Sequence, residues 1–275
     1  PNFKLNYNSS IDEIEKKIKK VIRYSEPEKS KKTIFVWPEG IFTGYNFNEI
    51  LSFKELIKKN YSDAHLILLG VNLIDKNSGS NFNSLIVINN ELQILHQYNK
   101  RKLVPFGEFL PFEEIFNKVG LKKITQGHGS FLKGDKQGNI LIDDMNVLTL
   151  ICYEIIFPEL VQNAKPNTNL IINISEDAWF GGSIGPHQHF AKAIFRAIEN
   201  NSYVVRSANQ GFSAFIDNRG KIIKSLKPNE TGNIELNISF INSKFKNRND
   251  LIFFILLFTY TIIFFTLRNK LNDKK

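Results

Sequence analysis

Cysteine occurs once in the 275 residues, at position 152, and methionine once, at 145. A single cysteine excludes any intrachain disulfide and the zinc clusters that need several thiolates. It leaves Cys152 as either an inert core residue or a nucleophile. No stretch rich in proline, glycine or serine divides the chain internally, and no period of roughly 20–50 residues signals a repeat array. No signal peptide precedes the first helix-forming stretch. With proline at position 1 and no earlier methionine, residue 1 follows either a removed initiator or an upstream segment of a longer chain.

What is present is globular in character: 42% hydrophobic residues, 24 Phe, and 36 Lys+Arg against 27 Asp+Glu, a net charge of +9. This length allows one large α/β domain or two small ones, with enough chain to bury a sizeable core. The positive balance suits nucleic acid, anionic lipid or mere compositional bias. No nucleic-acid-binding module or basic-aromatic platform accompanies it, so nucleic acid is not an expected partner. Residues 251–267 (LIFFILLFTYTIIFFTL) carry no charge, Gly or Pro and no polar stripe, and charged residues flank them on both sides. That run reads as a transmembrane helix at the short end of the usual length. Lys244, Lys246 and Arg248 precede it, and Arg268, Lys270, Lys274 and Lys275 follow, a small bias toward a cytoplasmic tail. The expected organisation is a catalytic domain over 1–243, a charged linker over 244–250, the span, and a basic tail over 268–275.

Within the domain, Ser10 and Glu13 form a capping box, and Ile11, Ile14, Ile18, Val21 and Ile22 recur at helical spacing, predicting a surface helix over 10–24. Apolar or β-branched runs predict strands at 33–37, 65–71, 146–151, 170–174, 203–206, 212–216 and 221–224. Two alternating runs around Asn89-Asn90 predict a hairpin, and helices are expected at 48–59, 154–164 and 187–200. Helices alternating with strands, with hairpins among them, imply mixed sheets covered by helices in one domain.

Three residues stand just past the ends of predicted strands. Cys152 sits between a strand and an expected helix, where a helix dipole would lower a thiol pKa. Glu39 follows the strand ending at Trp37-Pro38, and Lys100 lies in YNKRKLVPFGEF. Singly, each has an ordinary structural reading: a core thiol, a loop carboxylate in solvent, a basic surface run. Together they supply a base, an oxyanion stabiliser and a nucleophile at one mouth of a sheet, which is the equipment for acyl transfer through a thioester. His187 and His189, two apart on a helix, do not share a face, so no metal is expected. Phe106, Phe109, Leu110, Phe112 and Phe116 suit either the core or a membrane-dipping lid.

The segments around Glu39, Lys100 and Cys152 resemble the Glu, Lys and Cys motifs of the nitrilase (carbon-nitrogen hydrolase) superfamily. Within it, YNKRKLVPFGEFLPF, ICYEIIFPEL, SEDAWFG and GPHQH resemble the apolipoprotein N-acyltransferases. The resemblance runs from about residue 1 to residue 250. It implies a nitrilase-like four-layer αββα sandwich followed by one C-terminal transmembrane helix, with no cofactor. Glu39 would be the general base, Lys100 the oxyanion stabiliser and Cys152 the acyl-accepting nucleophile. Glu108 would orient the lysine, Tyr153 and Glu154 would line the site, and Trp179 and Phe180 would shape the substrate cleft. The implied reaction moves a fatty acyl chain from a phospholipid to cysteine, then to the α-amine of a diacylglyceryl-cysteine lipoprotein, on the periplasmic face of a bacterial inner membrane. A membrane-anchored amidase or nitrilase-type hydrolase and an inactive truncated remnant are the alternatives. The family carries membrane helices ahead of this domain, and Pro1-Asn2 resembles the residues directly after its first sheet strand. The resemblance therefore implies a fragment or truncated reading frame.

Overall fold

The computed structural model describes residues 1–111, 130–162, 168–237 and 250–272, the side chains of the last stretch over 252–268. The chain divides into two units, Pro1–Ser243 and Lys244–Lys275.

The larger unit opens with α1 (Ile11–Ser25), started by the Ser10/Glu13 capping box and burying Ile14, Ile18, Val21 and Ile22. The alternation of chain between apolar runs then builds β1 (Thr33–Val36), α2 (Phe47–Ile50), α3 (Lys54–Asn60), β2 (His65–Ile74), β3 (Asn81–Ile88) and β4 (Ile94–Asn99). Next come β5 (Asn139–Ile142), β6 (Met145–Ile151), α4 (Pro158–Gln162), β7 (Leu170–Glu176), α5 (Gly185–Asn200), β8 (Tyr203–Asn209), β9 (Ser213–Ile216) and β10 (Ile222–Leu226). One four-stranded sheet runs β1-β2-β3-β4, and a six-stranded sheet runs β10-β9-β8-β7-β6-β5. β1 is parallel to β2, and β6, β7 and β8 are mutually parallel; the remaining pairs are antiparallel.

The period-2 alternation of these strands separates three apolar layers. Ile67 and Leu69 of β2 and Ile86 and Ile88 of β3 pack beneath α1, α2 and α3. Leu68, Leu85 and Val87, on the opposite faces of the same strands, meet Val147, Ile151, Ile172 and Ile174 of the second sheet. Leu148, Leu150, Ile171 and Val204 look the other way, toward Leu160 of α4 and Phe190, Ala193 and Ala197 of α5. Helix, sheet, sheet and helix thus stack as a four-layer nitrilase-like α/β sandwich. β1 is an outer strand of its sheet, and a groove of about 490 Å³ runs past it, with Ile34, Val36, Ile172 and Val205 among its lining residues.

Two local expectations are revised. The helix expected over 154–164 is instead a 3₁₀ turn, Cys152–Ile156, followed by α4 from Pro158. Proline has no N–H to continue the first turn and pushes the preceding residue out of the helical region, so Phe157 is extended at φ −90°, ψ 103°. The strand β5 was not foreseen, because four residues in a polar stretch carry little periodic signal.

In the smaller unit, α6 (Asp250–Asn272) forms as a continuous helix. Its side chains from 252 to 268 are exposed on every side, and the hydroxyls of Thr259, Thr261 and Thr266 donate to carbonyls four residues back, at 2.8 Å each. Among the described residues, however, no helix is long and apolar enough to cross a membrane, which corrects the expected transmembrane helix over 251–267. The uncharged run rises only about 25 Å at 1.5 Å per residue, short of a hydrocarbon core of roughly 30 Å.

Candidate active site

The parallel arrangement of β1 with β2 and of β6 with β7 and β8 places the C-terminal ends of the parallel strands at one mouth of the sandwich. Glu39 leaves β1 there. Its Oε1 accepts from Asn83 Nδ2 of β3 at 2.9 Å and its Oε2 from the backbone N–H of Glu176 at 3.1 Å. Gly40 makes this approach possible, since it sits at φ +87° and a Cβ there would lie 1.7 Å from Glu176 Oε2. The Glu176 carboxylate cannot swing clear, being held by Asn209 Nδ2 at 2.8 and 3.1 Å and by Ala178 N–H at 3.0 Å. We expect Gly40→Ala to cost about 2–4 kcal/mol, read as a lowered urea midpoint. Gly79→Ala is the control, because Gly79 has a similar φ of +70° with open space around it. Equal losses from the two substitutions would show that the Glu176 contact contributes nothing.

Lys100 follows β4 and is almost wholly buried, at 1% exposure. Its Nζ donates to Glu108 Oε1 at 2.8 Å, and the same oxygen accepts from Asn83 Nδ2 at 2.7 Å, while Glu108 Oε2 accepts from Val104 N–H at 2.9 Å. Burial alone would drive the lysine neutral, but the charges of Glu108 and Glu39 outweigh it and hold its pKa above the ordinary value. An ammonium is therefore fixed at the mouth. Burial raises the Glu39 carboxyl and Glu108 adds to that, against the opposing pull of Lys100, which makes Glu39 a stronger proton acceptor than a carboxylate in water.

Cys152 follows β6 at φ +49°, a left-handed conformation in which its neighbours must hold it. The residue is half-buried and packs on the inter-sheet core. Contrary to the expectation from a helix dipole, its pKa is pushed up to about 12, first by burial and then by Glu39. The turn after Cys152 is only a five-residue 3₁₀ segment, too short for an appreciable dipole. The resting group is the thiol, and the Glu39 carboxyl lies in hydrogen-bond reach of it.

Glu154 ties two of these elements together. Its Oε1 accepts from Tyr98 Oη at 2.8 Å and from the N–H groups of Arg101 and Lys102 at 2.7 and 3.1 Å; its Oε2 accepts from Ile151 N–H at 2.9 Å. The chain flanking Lys100 and the chain entering Cys152 are thus fastened to one carboxylate. Tyr153 is exposed, with its ring edge-on to Phe157 at 5.7 Å. Trp179 is 47% exposed beside Tyr7, at 6.0 Å between ring centroids, and Phe180 packs against His189 at 5.5 Å. Of the phenylalanine-rich segment, Phe106 is exposed and Leu110 is buried, which corrects the lid reading at Leu110. Phe112 and Phe116 lie outside the described residues.

Several polar residues of the site were not singled out from the sequence. Asn83 bridges Glu39 and Glu108. Tyr7 stands near Glu39, Glu176 and Glu108, its pKa raised by burial and by those three carboxylates. Glu176 is pushed up to about 8 by burial, with Glu39 and Asp177 adding to it. The two histidines of α5 diverge: His187 meets the Phe212 ring at 4.9 Å, while His189 joins a buried cluster with Asp177 and Arg206. Among the described residues no group of three or more His, Cys, Asp or Glu side chains is arranged to hold a metal.

The family model for carbon-nitrogen hydrolases matches residues 5–242. The chain is 35% identical over 231 residues to the apolipoprotein N-acyltransferase of Bradyrhizobium diazoefficiens, covering 81% of this chain and 43% of that protein. It is 40% identical over 152 residues to the apolipoprotein N-acyltransferase of Allorhizobium ampelinum, covering 55% of this chain and 29% of that one. The chain therefore spans less than half the length of these curated relatives. Among solved structures, a carbon-nitrogen hydrolase from Helicobacter pylori superimposes with a TM-score of 0.59 at 14% identity, covering 81% of this chain and 84% of the other. Nit3 of Saccharomyces cerevisiae, a member of the nitrilase superfamily, does so at 0.55 and 19% identity, covering 82% and 85%. At such identities these two bear on the fold alone.

Proposed function

The chain belongs to the carbon-nitrogen hydrolase family, and from that premise we propose that it transfers a fatty acyl group, through a thioester on Cys152, from a phospholipid to the N-terminal amine of a diacylglyceryl-cysteine lipoprotein. The named activity of its curated relatives supports the acyl acceptor, and the chemistry of the mouth supports the route. The observation that carries the reading is the gathering of a half-buried carboxyl, a buried ammonium and a half-buried cysteine, with Glu39 and Lys100 both acting on Cys152.

In the first half-reaction Glu39 takes the thiol proton as Sγ attacks the ester carbonyl carbon. The Lys100 ammonium, with the backbone N–H of Tyr153, stabilises the oxyanion of the tetrahedral intermediate. Collapse breaks the ester C–O bond, the proton passes from Glu39 to the leaving alcohol, and a lysophospholipid departs. In the second half-reaction the acceptor amine attacks the thioester carbonyl, a proton returns through Glu39 to sulfur, and an amide leaves with the thiol restored. Glu108 holds Lys100 in place, Glu154 fixes the elbow, and Tyr153, Trp179 and Phe180 offer aromatic surface to the acyl chains. Donor and acceptor both carry lipid, which puts the reaction at a membrane surface, here assigned to the periplasmic face of a bacterial inner membrane.

The test is an intact mass spectrum of the chain after incubation with phosphatidylethanolamine. The expected result is one fatty-acyl increment that hydroxylamine removes and that a diacylglyceryl-cysteine peptide discharges as an amide. A folded chain that gains no increment would overturn the lipid donor. Discharge to free fatty acid alone, with the peptide present, would overturn the amine acceptor.

A further inference from the structure

Beside Cys152 lies a buried polar cluster that the proposed acyl chemistry does not use. Asp177, just past β7, accepts from Arg206 Nη2 of β8 at 2.9 and 2.8 Å and from the Ser175 hydroxyl at 2.6 Å. Although burial opposes it, the Arg206 charge and the Ser175 hydroxyl hold this carboxyl well below the usual range, so it is a fixed negative charge. Two contacts lead from the cluster to the cysteine. Ser175 Oγ stands 3.6 Å from Cys152 Sγ, and His189 Nε2 stands 3.1 Å from the Cys152 carbonyl oxygen. A carbonyl only accepts, so His189 carries its proton on Nε2. Its Nδ1 then accepts from Arg206 Nη2 at 3.1 Å. Asn173 Nδ2 donates to the same Cys152 carbonyl at 3.3 Å. These bonds meet a peptide in the left-handed region, where a non-glycine residue stays only if its surroundings hold it.

We propose that Ser175 is a positioning residue for the nucleophile, its single hydroxyl hydrogen serving Asp177 while sulfur is a thiol and turning to Sγ when the thiolate forms. The geometry permits the exchange. Arg206 Nη2 donates to both oxygens of Asp177, at 2.9 and 2.8 Å, so releasing the Ser175 hydroxyl leaves the carboxylate paired. In the thiol state Ser175 Oγ is free to accept from S–H; in the thiolate state it is a neutral donor that brings no charge to a crowded site. The other charged and titratable groups facing sulfur are Glu39 after β1, Lys100 after β4 and Asp177 after β7. Tyr7, Glu108, Glu154, Glu176, His189 and Arg206 stand one step further out. Neither Glu39 nor Asp177 can donate to sulfur as a carboxylate. Ser175 is therefore the neutral side-chain donor that stays available to the thiolate, beside the Lys100 charge, whenever Glu39 is in its carboxylate form.

This role rests on Cys152 being the nucleophile, and it is tested without any acyl donor. As the chain has one cysteine, iodoacetamide alkylation followed by intact mass reads Cys152 alone. The rate is measured from pH 6 to 11, a range of about five units, for the wild type, Ser175→Ala and Ser175→Thr. Ser175→Ala removes one oxygen from a small buried side chain, and a melting curve verifies the fold. The expected result is a rising pH–rate line displaced by about one pH unit to the alkaline side, so that the rate at any fixed pH falls about tenfold, with Ser175→Thr returning toward the wild type because it restores the hydroxyl. Superimposable profiles for wild type and Ser175→Ala would overturn the proposal, as would a native thiol that iodoacetamide does not reach. A shifted profile in a chain that forms no lipid adduct would sustain the role of Ser175 and count only against the lipid donor.

Discussion

Cys152→Ala abolishes the acyl adduct and lowers acyl transfer by at least about 10⁴-fold, the scale on which removing a covalent nucleophile is felt. The substitution is well suited to separate chemistry from folding. Alanine keeps the Cβ, so the left-handed backbone at φ +49° is no more strained than before. Cys152 is half-buried, and its conversion to alanine removes a single sulfur atom. Ser175 loses one partner and keeps Asp177 at 2.6 Å. The unfolding free energy from urea titration should therefore stay within about 0.5 kcal/mol of the wild type while turnover vanishes. The assay uses a fluorescent phospholipid and a diacylglyceryl-cysteine peptide, with products separated by mass. Residual turnover near the wild-type rate would end the thioester route and leave Glu39 and Lys100 to be explained by general base catalysis of a direct attack. Lys100→Met is the informative companion, because it keeps the length of the buried stem and removes only the ammonium. It should form thioester slowly, where Cys152→Ala forms none.

That Glu39 and Cys152 stand past strand ends was legible because each comes just after an apolar run, whereas Lys100 follows the alternating strand Ile94–Asn99. The sequence carried α1 for a similar reason, with four buried residues at helical spacing behind a capping box. What it could not carry is adjacency. Asn83 bridges Glu39 to Glu108 only because β3 lies between β2 and β4, a sheet order that periodicity does not encode. Arg206 reaches Asp177 because β8 pairs with β7 in a register setting Asn173 opposite it. In the chain, Arg206 is simply a charge inside the run YVVRSAN, with no spacing to distinguish it. The thiol pKa was misread for a physical reason of the same kind. The dipole argument needed a long helix after Cys152, whereas Pro158 restarts the helix six residues on and leaves a short 3₁₀ turn in between. Burial between two sheets then dominates, and burial is a tertiary fact.

Glu154→Gln should be the most destabilising of the conservative substitutions at this site. The carboxylate is buried, and every group that touches it is a donor: Tyr98 Oη and the N–H groups of Arg101 and Lys102 at Oε1, and Ile151 N–H at Oε2. A carboxylate offers acceptors at both ends and suits such a setting, while an amide offers one acceptor and two hydrogens. If the amide oxygen takes the place of Oε1, its NH₂ confronts Ile151 N–H, and the flipped amide confronts three donors instead of one. Either way a buried donor is left without its partner and a charge-assisted bond is lost. The expected loss is about 2–4 kcal/mol, measured as a lowered urea midpoint at an unchanged slope. Burial raises the Glu154 pKa, yet Ile151 N–H and Lys100 oppose it, and a set of donors alone has no use for a proton on this carboxyl. The activity should fall further than the stability, since Glu154 holds the segment beside Lys100 and the strand end before Cys152 against each other. A shift of about 1 Å between an oxyanion donor and its nucleophile costs on the order of 10²-fold in rate. Adduct formation by folded Glu154→Gln, measured well below its melting temperature, should therefore be slowed by that order. An unchanged urea midpoint would mean that the four bonds are not what fastens the two strand ends. A lowered midpoint with full adduct rate would mean that the fastening serves the fold and not the chemistry.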